Sequence, residues 1–143
     1  AWAYSAPPFR FKQNGWIGNA AVGVTYEGLA WITGAIVLLG GAIPNGKVLA
    51  MAALYSLGAH GIMTLNDFKA IDGDRQMGIK SLPAAHGEHM AAWVACFVML
   101  VPQFIVMLLL ASWGKPMHAS AIGGLVVVQT MMMASFLLSL IHI

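Results

Sequence analysis

Three aspartates lie in one short polar stretch of the chain, and their type and spacing suit the binding of a cation. Asp67, Asp72 and Asp74 fall within positions 66–80, which hold six of the chain's charged residues, out of seven Lys and Arg and five Asp and Glu in total. Carboxylates this close repel one another unless a cation lies among them. Oxygen ligands favour Mg²⁺, with Mn²⁺ as the alternative, and Mg²⁺ typically combines one or two carboxylates with waters and a substrate phosphate.

Basic side chains alternate with these acids along the same stretch. Lys69, Arg75 and Lys80 could hold the diphosphate group of a substrate from one side while a metal ion on the aspartates holds it from the other. The alternative is a solvated loop of mutually paired charges, which contributes little to stability. The spacing of the acids alone leaves both interpretations open.

The composition around this stretch is that of a membrane protein. Of the 143 residues, 59% are hydrophobic and 8% are charged, against roughly 25% charged residues in soluble domains. A bilayer core takes about 20 helical residues, and four bands are long enough to cross it: about 18–41, 47–66, 90–113 and 119–141. The first residues are expected to end a preceding helix, and the Asp-rich connection covers about 67–89. The sequence therefore predicts an all-α integral membrane bundle that starts in the middle of a longer protein.

The basic residues outside the bands predict the orientation of this multi-pass protein in the bilayer. If the spans alternate, Arg10 and Lys12 share a side with the three basic residues of the Asp-rich connection, while Lys47 and Lys115 lie opposite. Because an excess of Lys and Arg marks the cytoplasmic side, the Asp-rich connection is expected to be cytoplasmic. The net charge of +2 and the scattered basic residues give no indication of nucleic acid as a partner.

A polar stripe in the second band leads toward the aspartates. It consists of Ser56, His60, Thr64 and Asp67, whose steps of four, four and three place them on one helix face. Polar groups in a span face the bundle interior or a wet cavity, so the stripe is expected to line a site. For Ser56 and Thr64, hydrogen bonding between helices is an equally open alternative. Glu27, inside the first band, is either part of a site or a structural carboxylate.

Three blocks of sequence resemble a known family. They are YSAPPFRFKQNGWIGN at positions 4–19, YEGLAW at 26–31 and GAHGIMTLNDFKAIDGDRQMGIKSLP at 58–83. These blocks are similar to the UbiA superfamily of intramembrane prenyltransferases, and specifically to its chlorophyll and bacteriochlorophyll synthases, with the bacterial type the nearer. The resemblance implies a multi-helix transmembrane bundle around a central cavity, in which two Asp-rich motifs in cytoplasmic loops bind a prenyl diphosphate through Mg²⁺.

On this resemblance, NDFKAIDGDR is the second Asp-rich motif. It implies that Asp67 and Asp74 are the catalytic, metal-binding carboxylates, that Asp72 is a further metal ligand, and that the interleaved basic residues contact the diphosphate. Ala70 stands where many superfamily members carry another Asp. This departure favours the synthases over the alternatives in the same class, the haem- and quinone-type prenyltransferases. The alternative from a different class is a non-catalytic membrane subunit or transporter with a cation-binding loop.

The reaction that the resemblance implies is the last step of chlorophyll or bacteriochlorophyll synthesis. A C20 prenyl group, phytyl or geranylgeranyl, passes from its diphosphate to the propionate carboxylate of chlorophyllide or bacteriochlorophyllide. The candidate residues for contacting the tetrapyrrole or lining its cavity are His60, Thr64, Ser56 and Tyr4. The first Asp-rich motif is not in this chain, so roughly the N-terminal half of the enzyme is expected to be missing and the chain alone to be inactive. The closing residues 140–143 are expected to be non-native sequence.

Overall fold

The computed structural model describes residues 2–141, and for Ile141 the backbone alone. His142 and Ile143 lie outside the described residues, and with them half of the segment that the sequence predicts to be non-native. Within the described residues the regular elements are helices, as predicted, and the only β-type pairing is an isolated bridge between Asn14 and Lys80. The all-α class is therefore confirmed.

The α-helices of the described chain are α1 (Trp2–Ser5), α2 (Gly15–Gly23), α3 (Leu29–Leu38), α4 (Gly46–Asp67), α5 (Ile71–Gln76), α6 (Leu82–His86), α7 (Glu88–Ser112) and α8 (Pro116–Ile141). A π-helical turn, Val24–Gly28, joins α2 to α3, and 3₁₀ turns occupy Phe11–Gln13 and Phe68–Ala70. Four stretches are long and apolar enough to cross a membrane: Gly15–Leu38, Gly46–Gln76, Glu88–Ser112 and Pro116–Leu140. The predicted number of complete spans is thus confirmed, and the connection at 67–89 contains two short helices and a 3₁₀ turn.

Asparagine side chains determine where the first two spans begin. The Asn14 side-chain oxygen accepts hydrogen bonds from the backbone N–H groups of Trp16 and Ile17, at 3.0 and 3.2 Å. The Asn45 side chain accepts from the backbone N–H groups of the second and third residues after it, both at 3.1 Å. Asn is a preferred N-cap residue because its side-chain oxygen satisfies N–H groups that have no partner within the helix. These caps fix the starts of α2 and α4.

Helix α4 lies between the first span and α7, and α8 packs mainly on α7. The first span approaches α4 closely at Ser56, because two glycines face it. A Cβ at Gly23 would collide with the Ser56 carbonyl oxygen, and one at Gly28 would lie 2.5 Å from the Ser56 Oγ. Small residues let transmembrane helices pack backbone against backbone. The two glycines are five residues apart, and the wider π-helical turn between them brings both onto the face that meets the same serine.

On its other side, α4 packs against α7 through a small apolar cluster that also involves α8. Its buried members are Cys96, Met99 and Met133, with Leu65, Leu100, Phe136 and Leu137 packed around them. Pro102, which removes a backbone hydrogen bond from α7, is itself buried. The cluster holds the α4 end that carries Asp67 against α7 and α8.

Candidate active site

Asp67 ends α4 and is held by a buried hydrogen-bond chain. Its Oδ2 accepts a hydrogen bond from Nδ2 of Asn19 at 3.0 Å, and the same Nδ2 lies 3.2 Å from Oγ1 of Thr64. The Thr64 hydroxyl donates to the His60 carbonyl oxygen at 3.0 Å. Asn19 is only 6% exposed, and Asp67 is half-buried. One carboxylate oxygen is thus fixed from the first span, while Oδ1 takes no hydrogen bond within residues 2–141.

Asn19 is the functional candidate that sequence reasoning missed. It falls at the end of the block 4–19, but it lies in α2, outside the polar stripe of α4, and no spacing rule connects it with Asp67. The available signal was an amide side chain among small and apolar residues inside a predicted span. Such a group is expected to find a hydrogen-bond partner on a neighbouring helix.

Asp74 and Tyr4 lie in the same region as Asp67. The phenol of Tyr4 is half-buried, and its pKa is raised above the usual value by burial first and then by the negative charges of Asp67 and Asp74. Asp74 is also half-buried, in α5. The 3₁₀ turn Phe68–Ala70 separates the two aspartates, so α4 does not continue unbroken into the connection. The structure therefore brings together two of the three aspartates and one residue of the distant block 4–19.

Asp72 points away from this region. Its side chain is 93% exposed, and its nearest charged partner is Nη1 of Arg75, at 3.9 Å and one helical turn later. Gly73, which follows Asp72, lies inside the regular helix α5, so the chain does not bend there to bring Asp72 inward. Within residues 2–141, no group of three or more Asp, Glu, His or Cys side chains is placed to hold a metal ion together.

The three basic residues of the connection are exposed, and Arg75 lies near an aspartate. Lys69 is exposed on the 3₁₀ turn, and Arg75 is more than half exposed. Lys80 is fixed by its backbone, because its N–H donates to the Gln13 carbonyl oxygen at 3.0 Å and its carbonyl oxygen accepts from the Gly15 N–H at 2.8 Å. This pairing joins the block 4–19 directly to the Asp-rich block, which is consistent with the prediction that both lie on the same side of the membrane.

Lys80 shares a groove with a second basic residue. The groove has a volume of about 330 Å³, and the two cationic residues that line it are Arg10 and Lys80. Its remaining lining residues are Phe9, Phe11, Gln13, Asn14, Ile17 and Gly78. Two cations beside aromatic rings suit an anionic group attached to an apolar molecule.

Ser56 and His60, the two residues of the polar stripe farthest from Asp67, lie against the first span. The Ser56 hydroxyl donates to the Ala52 carbonyl oxygen of its own helix at 2.7 Å. The His60 ring lies 5.5 Å from the Trp16 ring, centroid to centroid, and its Nδ1 has no hydrogen-bond partner in the described part of the chain. Both residues border a mostly apolar cavity of about 450 Å³ between the first span and α4. Ser56 is therefore satisfied within its own helix, whereas the His60 Nδ1 takes no hydrogen bond from residues 2–141.

Comparison with known proteins identifies the family of the chain. Residues 1–139 match the UbiA prenyltransferase family. The chain is 54% identical over 129 residues to the bacteriochlorophyll synthase 33 kDa chain of Cereibacter sphaeroides, covering 90% of this chain and 42% of that protein. It is 48% identical over 137 residues to the 34 kDa chain of Chloroflexus aurantiacus, covering 96% and 43%. Chloroplastic chlorophyll synthase of Oryza sativa is 41% identical over 138 residues, covering 96% and 36%.

The chain thus spans about two fifths of the length of the curated relatives it matches. No solved structure matches it. Four helices that are long and apolar enough to cross a bilayer, together with a family match over nearly the whole chain, identify an integral membrane protein. The resemblance seen in the sequence is confirmed, and the chain belongs to the UbiA prenyltransferase family.

Proposed function

We propose that the protein to which this chain belongs transfers a C20 prenyl group, phytyl or geranylgeranyl, from its diphosphate to the propionate carboxylate of chlorophyllide or bacteriochlorophyllide. The observation that carries the proposal is the Asp67 site, in which a carboxylate held by Asn19 lies beside Asp74 and Tyr4. The relatives that share most of this chain are named bacteriochlorophyll and chlorophyll synthases. Ala70, in place of another Asp, supports the same subfamily.

The chemistry of the Asp67 site fits a hard divalent cation. UbiA prenyltransferases generally depend on a divalent metal ion, and we infer Mg²⁺, with Mn²⁺ as the alternative. Asp67 offers an oxygen that no described residue occupies, and Asp74 offers a second carboxylate. Since Mg²⁺ commonly uses one or two protein carboxylates and completes its shell with waters and substrate phosphates, these two suffice for this chain's share. Asp72, which is solvent-facing, is the weakest of the proposed ligands.

When bound, the metal ion would neutralise charge that develops on the leaving diphosphate. The protein's own cations would contribute to the same neutralisation, because Lys69, Arg75 and Lys80 lie on the connection that carries the aspartates, and Lys80 shares its groove with Arg10. In the transfer, the bond between the allylic carbon and the diphosphate oxygen breaks, and the diphosphate leaves with the electron pair. The propionate oxygen then forms the new carbon–oxygen bond. Burial of the reacting carbon among apolar helices would keep water from capturing it.

The placement of the site in the membrane forms part of the proposal. The basic residues of the two paired blocks, Arg10 and Lys12 in one and Lys80 in the other, lie at the same end of the bundle. By the positive-inside rule this end is cytoplasmic, where a soluble diphosphate group can enter. The prenyl chain and the pigment are apolar and reach the site from the bilayer.

The testing experiment supplies the full-length protein with Mg²⁺, phytyl or geranylgeranyl diphosphate, and bacteriochlorophyllide or chlorophyllide. Chromatography of the pigments should show the esterified product, and chelation of the metal should abolish it. Transfer to a quinone precursor or to haem without pigment ester would reject the proposal in favour of another prenyltransferase. The 143 residues alone should be inactive in the same assay, because the first Asp-rich motif is not among them.

A further inference from the structure

A second cavity lies beside α4, and four membrane spans contribute polar side chains to it. These are Glu27 of the π-helical turn, Tyr55 of α4, Gln103 of α7 and Gln129 of α8. The cavity has a volume of about 310 Å³. The rest of its lining is apolar or small: Leu54, Gly58, Ala59, Ile62, Met99, Pro102 and Val106. A mostly apolar pocket with a few convergent polar groups has the character of a small-molecule site.

The four polar residues lie deep in the membrane. At about 1.5 Å per residue, Glu27 is roughly 18 Å along the first span from Gly15, and Gln129 is roughly 20 Å along α8 from Pro116. The hydrocarbon core is about 30 Å thick, so both fall in its middle part. Glu27 also belongs to a π-helical turn, a feature that is frequent at functional sites. An ionisable residue at this depth indicates a functional site by default.

These side chains have no partners among themselves. Within the part of the chain that the structure describes, none of the four makes a side-chain hydrogen bond, although the Tyr55 ring stacks on the Trp31 ring with centroids 5.2 Å apart. By contrast, Thr64 of α4 and Asn19 of α2 are hydrogen-bonded. A polar group without a partner is costly in the hydrocarbon region. Two amides, a phenol and a carboxyl together offer both donors and acceptors. A molecule with polar atoms along one edge would satisfy them.

We propose that this cavity binds the polar edge of the flat tetrapyrrole acceptor, at the end opposite its reactive propionate. This assignment rests on the proposed function. A prenyl chain has no polar atoms to offer these groups, whereas the pigment carries carbonyl and ester oxygens at its periphery. With the propionate at the Asp67 end of α4, the far edge of the ring system lies deeper in the membrane. Tyr55 is about 18 Å from Asp67 along the helix axis.

One face of α4 connects the two places. Tyr55, Ala59, Ile62 and Asn66 follow at steps of four, three and four, which is the spacing of a single helix face. The first three line the cavity, and Asn66 precedes Asp67 and is exposed. An extended acceptor lying along this face would reach both the polar cavity and the neighbourhood of the aspartates.

The test compares two variants of the full-length protein, Gln103→Leu and Gln129→Leu, with the neighbouring Thr130→Val. Thr130 is exposed on α8, and its hydroxyl bonds to its own helix, so it serves as a matched control. Bacteriochlorophyllide binding is measured by tryptophan fluorescence quenching without prenyl diphosphate or metal, and KM is measured for each substrate. Each cavity variant should weaken pigment binding and raise the pigment KM by about 2- to 10-fold, the effect of one hydrogen bond. The KM for the prenyl diphosphate should stay unchanged.

Gln103→Asn, which keeps an amide donor on a shorter side chain, should recover part of the affinity. Unchanged pigment affinity in a folded Gln103→Leu, Gln129→Leu double variant would overturn the proposal. An equal loss in Thr130→Val, or an equal rise in the KM of both substrates, would do the same, because it would reveal general damage to the bundle. The binding assay separates this inference from the proposed function. A wild-type protein that binds the pigment at this cavity but makes no ester would refute the transfer reaction while leaving the site intact.

Discussion

The two faces of α4 handle their polar groups in opposite ways. On the face toward the first span, the hydroxyls of Ser56 and Thr64 are hydrogen-bonded, and Asn19 joins Thr64 to Asp67. On the other face, Tyr55 borders a cavity in which the polar side chains of four spans make no side-chain hydrogen bonds within residues 2–141. The first face positions a carboxylate through these hydrogen bonds, whereas the polar groups around the second are left for a ligand to bind. A regular row of polar residues along a helix therefore does not by itself identify the face that binds a ligand.

The comparison is tested most strongly at Asp67. Asp67→Asn in the full-length protein removes a carboxylate charge from the proposed metal site, and we expect prenyl transfer to fall by about 10²-fold or more. Asp72→Asn should reduce transfer only a few-fold, because the Asp72 side chain is almost fully exposed and only weakly paired with Arg75. The measurement is the rate of pigment ester formation at saturating Mg²⁺. Equal losses in the two variants would mean that Asp72 turns inward to bind metal in the working enzyme.

Removing the hydrogen bond that Asn19 donates to Asp67 should have the next largest effect on activity. Asn19→Leu frees the Oδ2 of Asp67 from its buried donor, and we expect the Mg²⁺ concentration for half-maximal activity to rise by about 10- to 100-fold, as for other groups that orient metal ligands. Thr64→Val leaves the contact between Asn19 and Asp67 in place and should shift this concentration much less. A lower yield of folded protein with an unchanged Mg²⁺ dependence would assign Asn19 a purely structural role.

These residues show what the sequence could and could not predict. The four spans follow from composition, because about 20 consecutive apolar residues have few alternatives to a membrane helix. The family follows from long specific blocks, which the match over residues 1–139 confirms. Asn19 was missed because its contact with Asp67 crosses 48 positions of sequence and depends on how two helices dock. No local pattern carries that information.

The cavity on the second face was missed for a related reason. Glu27 was singled out, but Gln103 and Gln129 are isolated amides in separate spans, and only the packing of α7 and α8 against α4 places them with Tyr55 around one space. The Asp72 side chain illustrates the opposite case, since its proximity in sequence suggested a grouping with the other two aspartates, whereas on helix α5 it is almost fully exposed. Tertiary packing thus decides both which polar residues meet and which remain apart.

The smallest effect tests the face of α4 toward the first span, where two glycines contact Ser56. Gly28→Ala places a methyl group 2.5 Å from the Ser56 Oγ, which should destabilise the protein by about 1–3 kcal/mol through overpacking. Ser56→Ala removes that oxygen, so the double variant should recover most of the loss, with a coupling energy of about 0.5–3 kcal/mol.

The same serine change should not rescue Gly23→Ala, because a methyl group there meets the Ser56 carbonyl oxygen, which remains in place. Gly34→Ala, which has nothing within 4 Å of its added methyl group, is the control and should be neutral or slightly stabilising. Thermal unfolding of the full-length protein in detergent measures all six variants, three glycine changes, Ser56→Ala and the two double variants. Rescue of both glycine variants by Ser56→Ala would show that the first span slides along α4 instead of being fixed against it.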